Sequence, residues 1–286
     1  MEGPGPGRLG APAAFRRPES AQEIGMHIVV CIKQVPGTTK VQINPETNTL
    51  IREGVEAIIN PFDENALEAA LVLKETGGAK VTVLCMGPPQ ADTALRESMA
   101  RGADDIVLLC DRAFAGSDTW ATSYALAQGI RTLGAVDLVF CGKQAIDGDT
   151  AQVGPGVAEF LGWPVVTYVR KLEVKDGKAL IERTFEDGYE KIEAPLPCVI
   201  TTVKEMNVPR MASLKGRMRA KKAEIKVLTA EAVQADPKEI GLKGSPTRVV
   251  KIFTPPKKSS GVRIDGTEPS VAAREIVSRL KEQKVI

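Results

Sequence analysis

The chain has 286 residues and a formal net charge of +2, which argues against a molecule that binds polyanions through its overall charge. Hydrophobic residues make up 43% and charged residues 26%, the balance of a globular chain with length for one large domain or two small ones. No apolar run reaches the ~20 residues of a bilayer span, the 4% aromatic content argues against a base-stacking nucleic-acid surface, and the single histidine, His27, argues against a histidine triad or multi-histidine metal site.

Residues 1–25 are rich in Gly, Pro and Ala without helical or strand period, so they are expected to be a disordered extension, with Met26 as the functional first residue. His27–Lys33 is a continuous β-branched run suited to a central parallel strand. After an irregular stretch, Asn60-Pro61 marks a helix start with Asn as N-cap and Pro at the first position, and Gly77-Gly78 closes that helix. Val81–Met86 is a second core strand ending at Gly87. A helix over about Gln90 to Arg101 leads to a third strand at Ile106–Cys110. The small-residue loop Asp111–Thr119 has Asp118 as expected N-cap of a helix running to Leu133. Cys31, Cys85, Cys110, Cys141 and Cys198 all lie in apolar strand-like runs without a C-x-x-C pair, so they read as reduced core residues of a cytoplasmic protein, with no metal role.

Val136–Cys141 is the fourth strand. It breaks at Gly142 into the polar turn Lys143–Asp149, and a helix is expected from Thr150–Ala151 to Leu161. Buried strand, glycine turn and helix N-terminus in that order hold phosphorylated ligands in α/β proteins, through free N–H groups and the helix dipole. It is neither a Walker A loop nor a G-x-G-x-x-G opening, and Asp147 and Asp149 would repel a phosphate if they faced it. The local pattern leaves nucleotide binding and an ordinary capped turn both open.

Four strand–helix alternations imply a doubly wound, mostly parallel α/β sheet with helices on both faces over residues 26–228. Ligands of such sheets sit beyond the carboxyl ends of the strands. Val165–Val174 and Lys178–Thr184 flank Asp176-Gly177, a hairpin signal, and Tyr189–Ile192, Cys198–Val203 and Glu224–Leu228 read as further strands. Lys204–Lys222 is proline-bearing and increasingly basic. Residues 229–286 read as an extended arm ending in an amphipathic helix over about Ser270 to Gln283, with so little core of their own that docking on another subunit is expected.

Three stretches give the chain a resemblance to a known family. Gly142-Lys143-Gln144-Ala145-Ile146-Asp147 with Asp149 and Gln152 resembles its nucleotide loop, and Asn60-Pro61-Phe62 its second nucleotide contact. Ile181, Arg183, Glu186, Asp187, Gly188, Glu190, Ile192, Pro197, Val199, Ile200 and Thr201 fit its signature segment. On these residues the chain resembles the small (beta) subunit of the heterodimeric electron-transfer flavoproteins. The resemblance implies cofactor contacts at Cys31, Asn60, Pro61, Phe62, Asp63, Met86 and Gly87, and along Gly142, Lys143, Gln144, Ala145, Ile146, Asp147, Gly148, Asp149, Thr150, Ala151, Gln152 and Val153. It implies no catalytic side chain. It also implies a recognition loop, Pro209-Arg210-Met211-Ala212-Ser213-Leu214, whose Leu214 docks into partner dehydrogenases. A leucine packing its own loop is the plainer reading of Leu214, and a solvated basic face that of Arg217–Lys222.

The family has two types: one holds AMP in this subunit as a filler, the other a second FAD that takes electrons from NADH and bifurcates them. Asp111, Arg112, Ala113, Phe114, Ala115, Gly116, Asp118 and Thr119 are similar to the second type, as is Asp147–Pro155. The small Ala115 and Gly116 leave room for a planar ring. The resemblance therefore implies FAD, with AMP as the alternative, and NADH as substrate. Its implied partners are the alpha (large) subunit, an acyl-CoA dehydrogenase-type or quinone-reducing flavoprotein, and ferredoxin or flavodoxin. An ATP pyrophosphatase, a rival α/β reading, needs a Ser-Gly-Gly-type loop where Gln34-Val35-Pro36-Gly37 stands.

Overall fold

The computed structural model describes residues 25–37, 42–43, 50–51, 57–250 and 261–286. Residues 1–24, on which the expected disordered extension falls, lie outside the described residues.

The chain runs β1 (His27–Ile32), β2 (Gln34–Pro36), β3 (Gln42–Ile43), β4 (Leu50–Ile51), β5 (Ala57–Ile59), α1 (Pro61–Gly77), β6 (Lys80–Met86), α2 (Asp92–Arg101), β7 (Asp105–Leu109), α3 (Thr119–Arg131), β8 (Leu138–Gly142) and α4 (Val153–Leu161). It continues through β9 (Val165–Lys175), β10 (Lys178–Phe185), β11 (Gly188–Pro195), β12 (Cys198–Thr202), α5 (Leu214–Lys222), β13 (Lys226–Leu228), α6 (Gly241–Gly244) and α7 (Pro269–Glu282). Nine strands form one sheet in the order β11-β10-β9-β12-β8-β1-β6-β7-β13. Seven of them, β9 to β13 in that order, pair in parallel, and β10 and β11 extend the sheet antiparallel.

Alternate residues of each central strand face opposite layers. Ile28, Val30 and Ile32 of β1 pack with α1 and α2 through Ala66, Leu67, Leu95 and Met99, together with Ala220 of α5. Val29 and Cys31 pack with α3 and α4 through Leu126, Ile130, Val157 and Leu161. β1 is buried at every position, so period-2 alternation is absent from its sequence. Small residues let the helices close in. A Cβ at Gly156 of α4 would lie 2.4 Å from Ser123 Oγ of α3, and one at Gly216 of α5 would lie 1.9 Å from the Ala100 carbonyl oxygen of α2.

Several expectations need correction. α4 begins at Val153, not at Thr150–Ala151, because Asp149 (φ 50°) and Ala151 (φ 53°) have left-handed backbone that cannot start a helix. Asn60 stands at the N-cap of α1 but makes no side-chain capping bond. The basic stretch 204–222 contains a helix, α5, capped by Ser213, whose hydroxyl accepts from Gly216 N (3.0 Å). The compact α/β unit extends past residue 228 to Val250. Val233 and Ile240 are buried in its core, which an arm reading of 229–250 does not anticipate. A second unit comprises residues 43–49 and 251–286. Within it α7 has no buried residue, and Val271, Ile276 and Val277 are exposed.

Candidate nucleotide-binding edge of the sheet

The chain leaves β1 toward β6 and β7 and then returns to β8 on the other side of β1, so the strand order reverses between β1 and β8. At such a reversal the connections depart toward opposite faces and a crevice opens beyond the carboxyl ends. Cys31, Met86-Gly87, the loop 111–118 and Gly142 end or follow β1, β6, β7 and β8 at that edge, and the N-termini of α1, α3 and α4 meet it.

The first turn of α1 organises the crevice. Asp63 is 6% exposed. Its Oδ2 accepts from Lys33 N at 2.7 Å and its Oδ1 from Gly142 N at 3.0 Å, so one carboxylate joins the ends of β1 and β8. Burial pushes its pKa up to about 7, against the pull of the Lys33 and Gly142 N–H groups. Gly142 is required for this approach: a Cβ there would stand 2.3 Å from Asp63 Oδ1 and 2.7 Å from the Phe62 carbonyl carbon. The Asn60 amide is committed to the following loop, donating from Nδ2 to Gln144 O (2.8 Å) and accepting at Oδ1 from Ile146 N (3.1 Å).

Within that loop the acidic groups have partners. Lys33 Nζ pairs with both oxygens of Asp147 at 2.7 Å, and Gln144 Nε2 donates to Asp149 Oδ1 at 2.7 Å. The repulsion that the sequence suggests between these acids and a phosphate is thereby reduced at Asp147. Residues 146–150 are exposed. The left-handed Asp149 and Ala151 turn the chain into α4, whose N-cap residue Gln152 makes no side-chain capping bond. Its Oε1 accepts instead from Thr119 Oγ1 (2.8 Å), which links the loop to the start of α3. Strained backbone beside an uncapped helix N-terminus suits a phosphate group, which can take the N–H groups that no side chain satisfies.

The loop 111–119 forms another wall. Asp111 accepts from Ala113 N (3.0 Å) and Ala230 N (3.1 Å), and these two donors hold its carboxyl below the usual range. Burial raises the Asp118 carboxyl, but donors from Thr247, Ala121 and Trp120 outweigh it and hold it low; the same group caps α3 as expected. Arg112, Ala113, Ala115 and Gly116 are exposed, whereas Phe114 is 5% exposed and belongs to the core. Cys31 likewise lies in the core beside its register partner Cys141, and its thiol is pushed up by a hydrogen bond with Cys141 and by burial.

The structure therefore groups the candidate residues of the edge but divides their work. Asn60 and Asp63 shape the loop. Phe114 and the Cys31 side chain pack the core. Residues 146–150 and 152 of the loop and 112, 113, 115 and 116 of the wall are exposed, whereas Val153 packs partly against the core and Lys143 lies over the Tyr168 ring. Sequence reasoning missed Lys33 as a loop partner and residues 230–247 as the support of the 111–118 wall; neither stands within a motif that marks it. Leu214 is 79% exposed and is the first residue of α5. Among the described residues no group of three or more His, Cys, Asp or Glu is arranged to hold a metal, and no helix is long and apolar enough to cross a membrane.

Comparison with known proteins bears on what occupies this edge. Residues 47–233 match the family model described as the electron transfer flavoprotein domain. The chain is 53% identical over 262 residues to the caffeyl-CoA reductase-Etf complex subunit CarD of Acetobacterium woodii, covering 91% of this chain and 100% of that one. It is 54% identical to the electron transfer flavoprotein subunit beta of Thermoanaerobacterium thermosaccharolyticum, with the same coverage. It is 47% identical to the acryloyl-CoA reductase electron transfer subunit gamma of Anaerotignum propionicum, over 91% of this chain and 100% of that one.

Proposed function

Because the chain belongs to the electron transfer flavoprotein family, among its beta subunits, we propose that it is the small subunit of a heterodimer that holds FAD at the crevice described above. In this reading the assembly oxidises NADH and divides the electrons between the flavin of the large subunit and a low-potential ferredoxin or flavodoxin. A bound FAD supplies the redox chemistry: acceptance of hydride from NADH and release of electrons one at a time.

The residues of this chain bind and orient. N–H groups of the first turn of α4, with Lys143 and Arg112 nearby in charge, receive the pyrophosphate. Asp149 and Gln152 offer acceptors to ribose hydroxyls. Asn60 and Asp63 hold the loop in shape, and no side chain acts as a general base. The observation that carries FAD over AMP is the wall 112–116, where Ala113 and Ala115 are exposed and small; the space beside Gly116 is taken by the Leu242 side chain. The named complexes of the relatives, which reduce caffeyl-CoA and acryloyl-CoA, support an acyl-CoA flavoprotein as the partner docking at Leu214.

The test is cofactor content of the anaerobically purified heterodimer. Two flavins per heterodimer, with bleaching by NADH, are expected. One flavin accompanied by one AMP overturns the FAD reading and leaves a non-bifurcating carrier.

A further inference from the structure

The segment between β12 and α5 is fixed to the flank of α1 by polar contacts. Asn65 Nδ2 donates to Asn207 O (2.9 Å) and Oδ1 (3.0 Å), and Asn207 Nδ2 donates back to Asn65 O (3.0 Å). Arg210 then grips two acids of the same helix. Its backbone N and its Nε donate to Glu68 Oε2 (3.0 and 2.9 Å), and its Nη2 donates to Glu68 Oε1 (2.9 Å) and Glu75 Oε2 (3.1 Å), while Nη1 meets Glu75 Oε1. Glu68 is 8% exposed, so its charge is compensated chiefly by this guanidinium.

Immediately beyond the grip the character reverses. Leu214 and Met218, four residues apart on α5, are 79% and 59% exposed, and Met211, in the non-helical segment before the cap, is 87% exposed. Lys215, Arg217, Lys221 and Lys222 surround them, all exposed. α5 itself rests on α2 through Gly216, the buried Ala220 and Arg219, which donates to the Met99 and Ala103 carbonyls, so the polar anchor upstream fixes Met211 and the approach to the helix. Short polar side chains without the planar fork of arginine cannot reach both carboxylates at once.

We propose that Arg210 is a positioning residue for partner docking: by clamping residues 207–210 to α1 it preorganises Met211 and the entry to Leu214 for an apolar, acidic-rimmed pocket on an acyl-CoA-reducing flavoprotein. The acidic rim is the complement of the four cations. The inference rests on the docking role given above to Leu214. It adds that α1, which shapes the nucleotide loop at its first turn, also holds the segment leading into the docking helix. Preordering matters because a loop that must be immobilised on contact loses affinity in proportion to the freedom it gives up.

The experiment uses the whole heterodimer, kept reduced with dithionite, as electron donor to purified caffeyl-CoA or acryloyl-CoA reductase flavoprotein. The KM for the heterodimer is read for wild type, Arg210→Gln and Leu214→Ala, and reoxidation by a small dye serves as a control that needs no docking. Because the donor is reduced chemically, the result does not depend on whether this subunit holds FAD or oxidises NADH. Arg210→Gln is expected to raise KM about tenfold with kcat and dye reoxidation unchanged, and Leu214→Ala to raise KM at least as much. If Arg210→Gln slows dye reoxidation as well, the neutral pair Glu68→Gln/Arg210→Gln replaces it, since it strands no buried charge. An unchanged KM in the Arg210 variant beside a raised one in Leu214→Ala overturns the proposal. An unchanged KM in both overturns the docking role on which it rests.

Discussion

Asp63 stands where two parallel strands end, and both of its oxygens accept backbone N–H groups. An amide in its place accepts one bond and turns an N–H toward the other donor, so Asp63→Asn is expected to destabilise the fold by about 1–3 kcal/mol. Its titration adds a pH signature. The folded-state pKa of about 7 lies above the ordinary carboxyl value of 3.8, so the folded chain holds this proton more tightly than the unfolded chain. Stability from this group is fully present below about pH 4 and is lost as pH rises through 7. In urea unfolding from pH 4 to 8, the stability of wild type relative to Asp63→Asn is expected to fall with rising pH, by an amount on the order of 4 kcal/mol, which cancels or reverses the low-pH advantage. A difference that stays flat with pH would refute the buried, raised carboxyl. Ala151 gives a converse case. Its φ of 53° is unfavourable for any side chain, so Ala151→Gly is expected to raise Tm, by a free energy of up to about 1 kcal/mol, if the loop keeps this backbone. A lowered Tm would show that the strain is absent in solution.

At the scale of elements, α1 is the piece on which the site depends, and Asn60 shows how sequence and structure can agree on position but not on task. Asn before Pro reads as an N-cap, and the residue stands at that cap, yet its amide ties Gln144 and Ile146 instead. Asn60→Ser separates the two tasks, because serine caps a helix well but is too short to bridge to both backbone groups. The helix is expected to keep its stability while affinity for the proposed adenine nucleotide falls about tenfold, the loss of one or two buried hydrogen bonds. Circular dichroism and isothermal titration with AMP or FAD check the pair; loss of helix with unchanged affinity would reverse the assignment. Strands and most helices were legible because a continuous β-branched run or an i, i+3, i+4 apolar repeat carries its own signal. α5 was not, because it is short and highly charged, and its closest packing on α2 is made by Gly216, which leaves no apolar mark.

The whole molecule divides at Val250, well past the point where the sequence changes character. Residues 229–247 read as arm because they are rich in small and charged residues, but Ala230 N, Gly241 N and Thr247 N donate to Asp111, Ser117 and Asp118, and this ties them to the α/β unit. A chain ended after Val250 is therefore expected to retain the cooperative unfolding of the α/β unit while failing to form the heterodimer on gel filtration with the large subunit. Assembly without 251–286 would show that the arm is dispensable. By itself the sequence determined the parallel, doubly wound architecture and the family, and it pointed to the carboxyl edge of the sheet as the candidate site, since these follow from local periodicity, from turn chemistry and from motifs contiguous in the chain. Only the tertiary structure decided which of those edge residues face the crevice and which hold it in shape, and that Arg210 reaches back to α1. Those roles depend on partners 30 to 142 positions apart in the chain, and a hydrogen bond between groups so distant is fixed by how the strands are ordered, which no local pattern records.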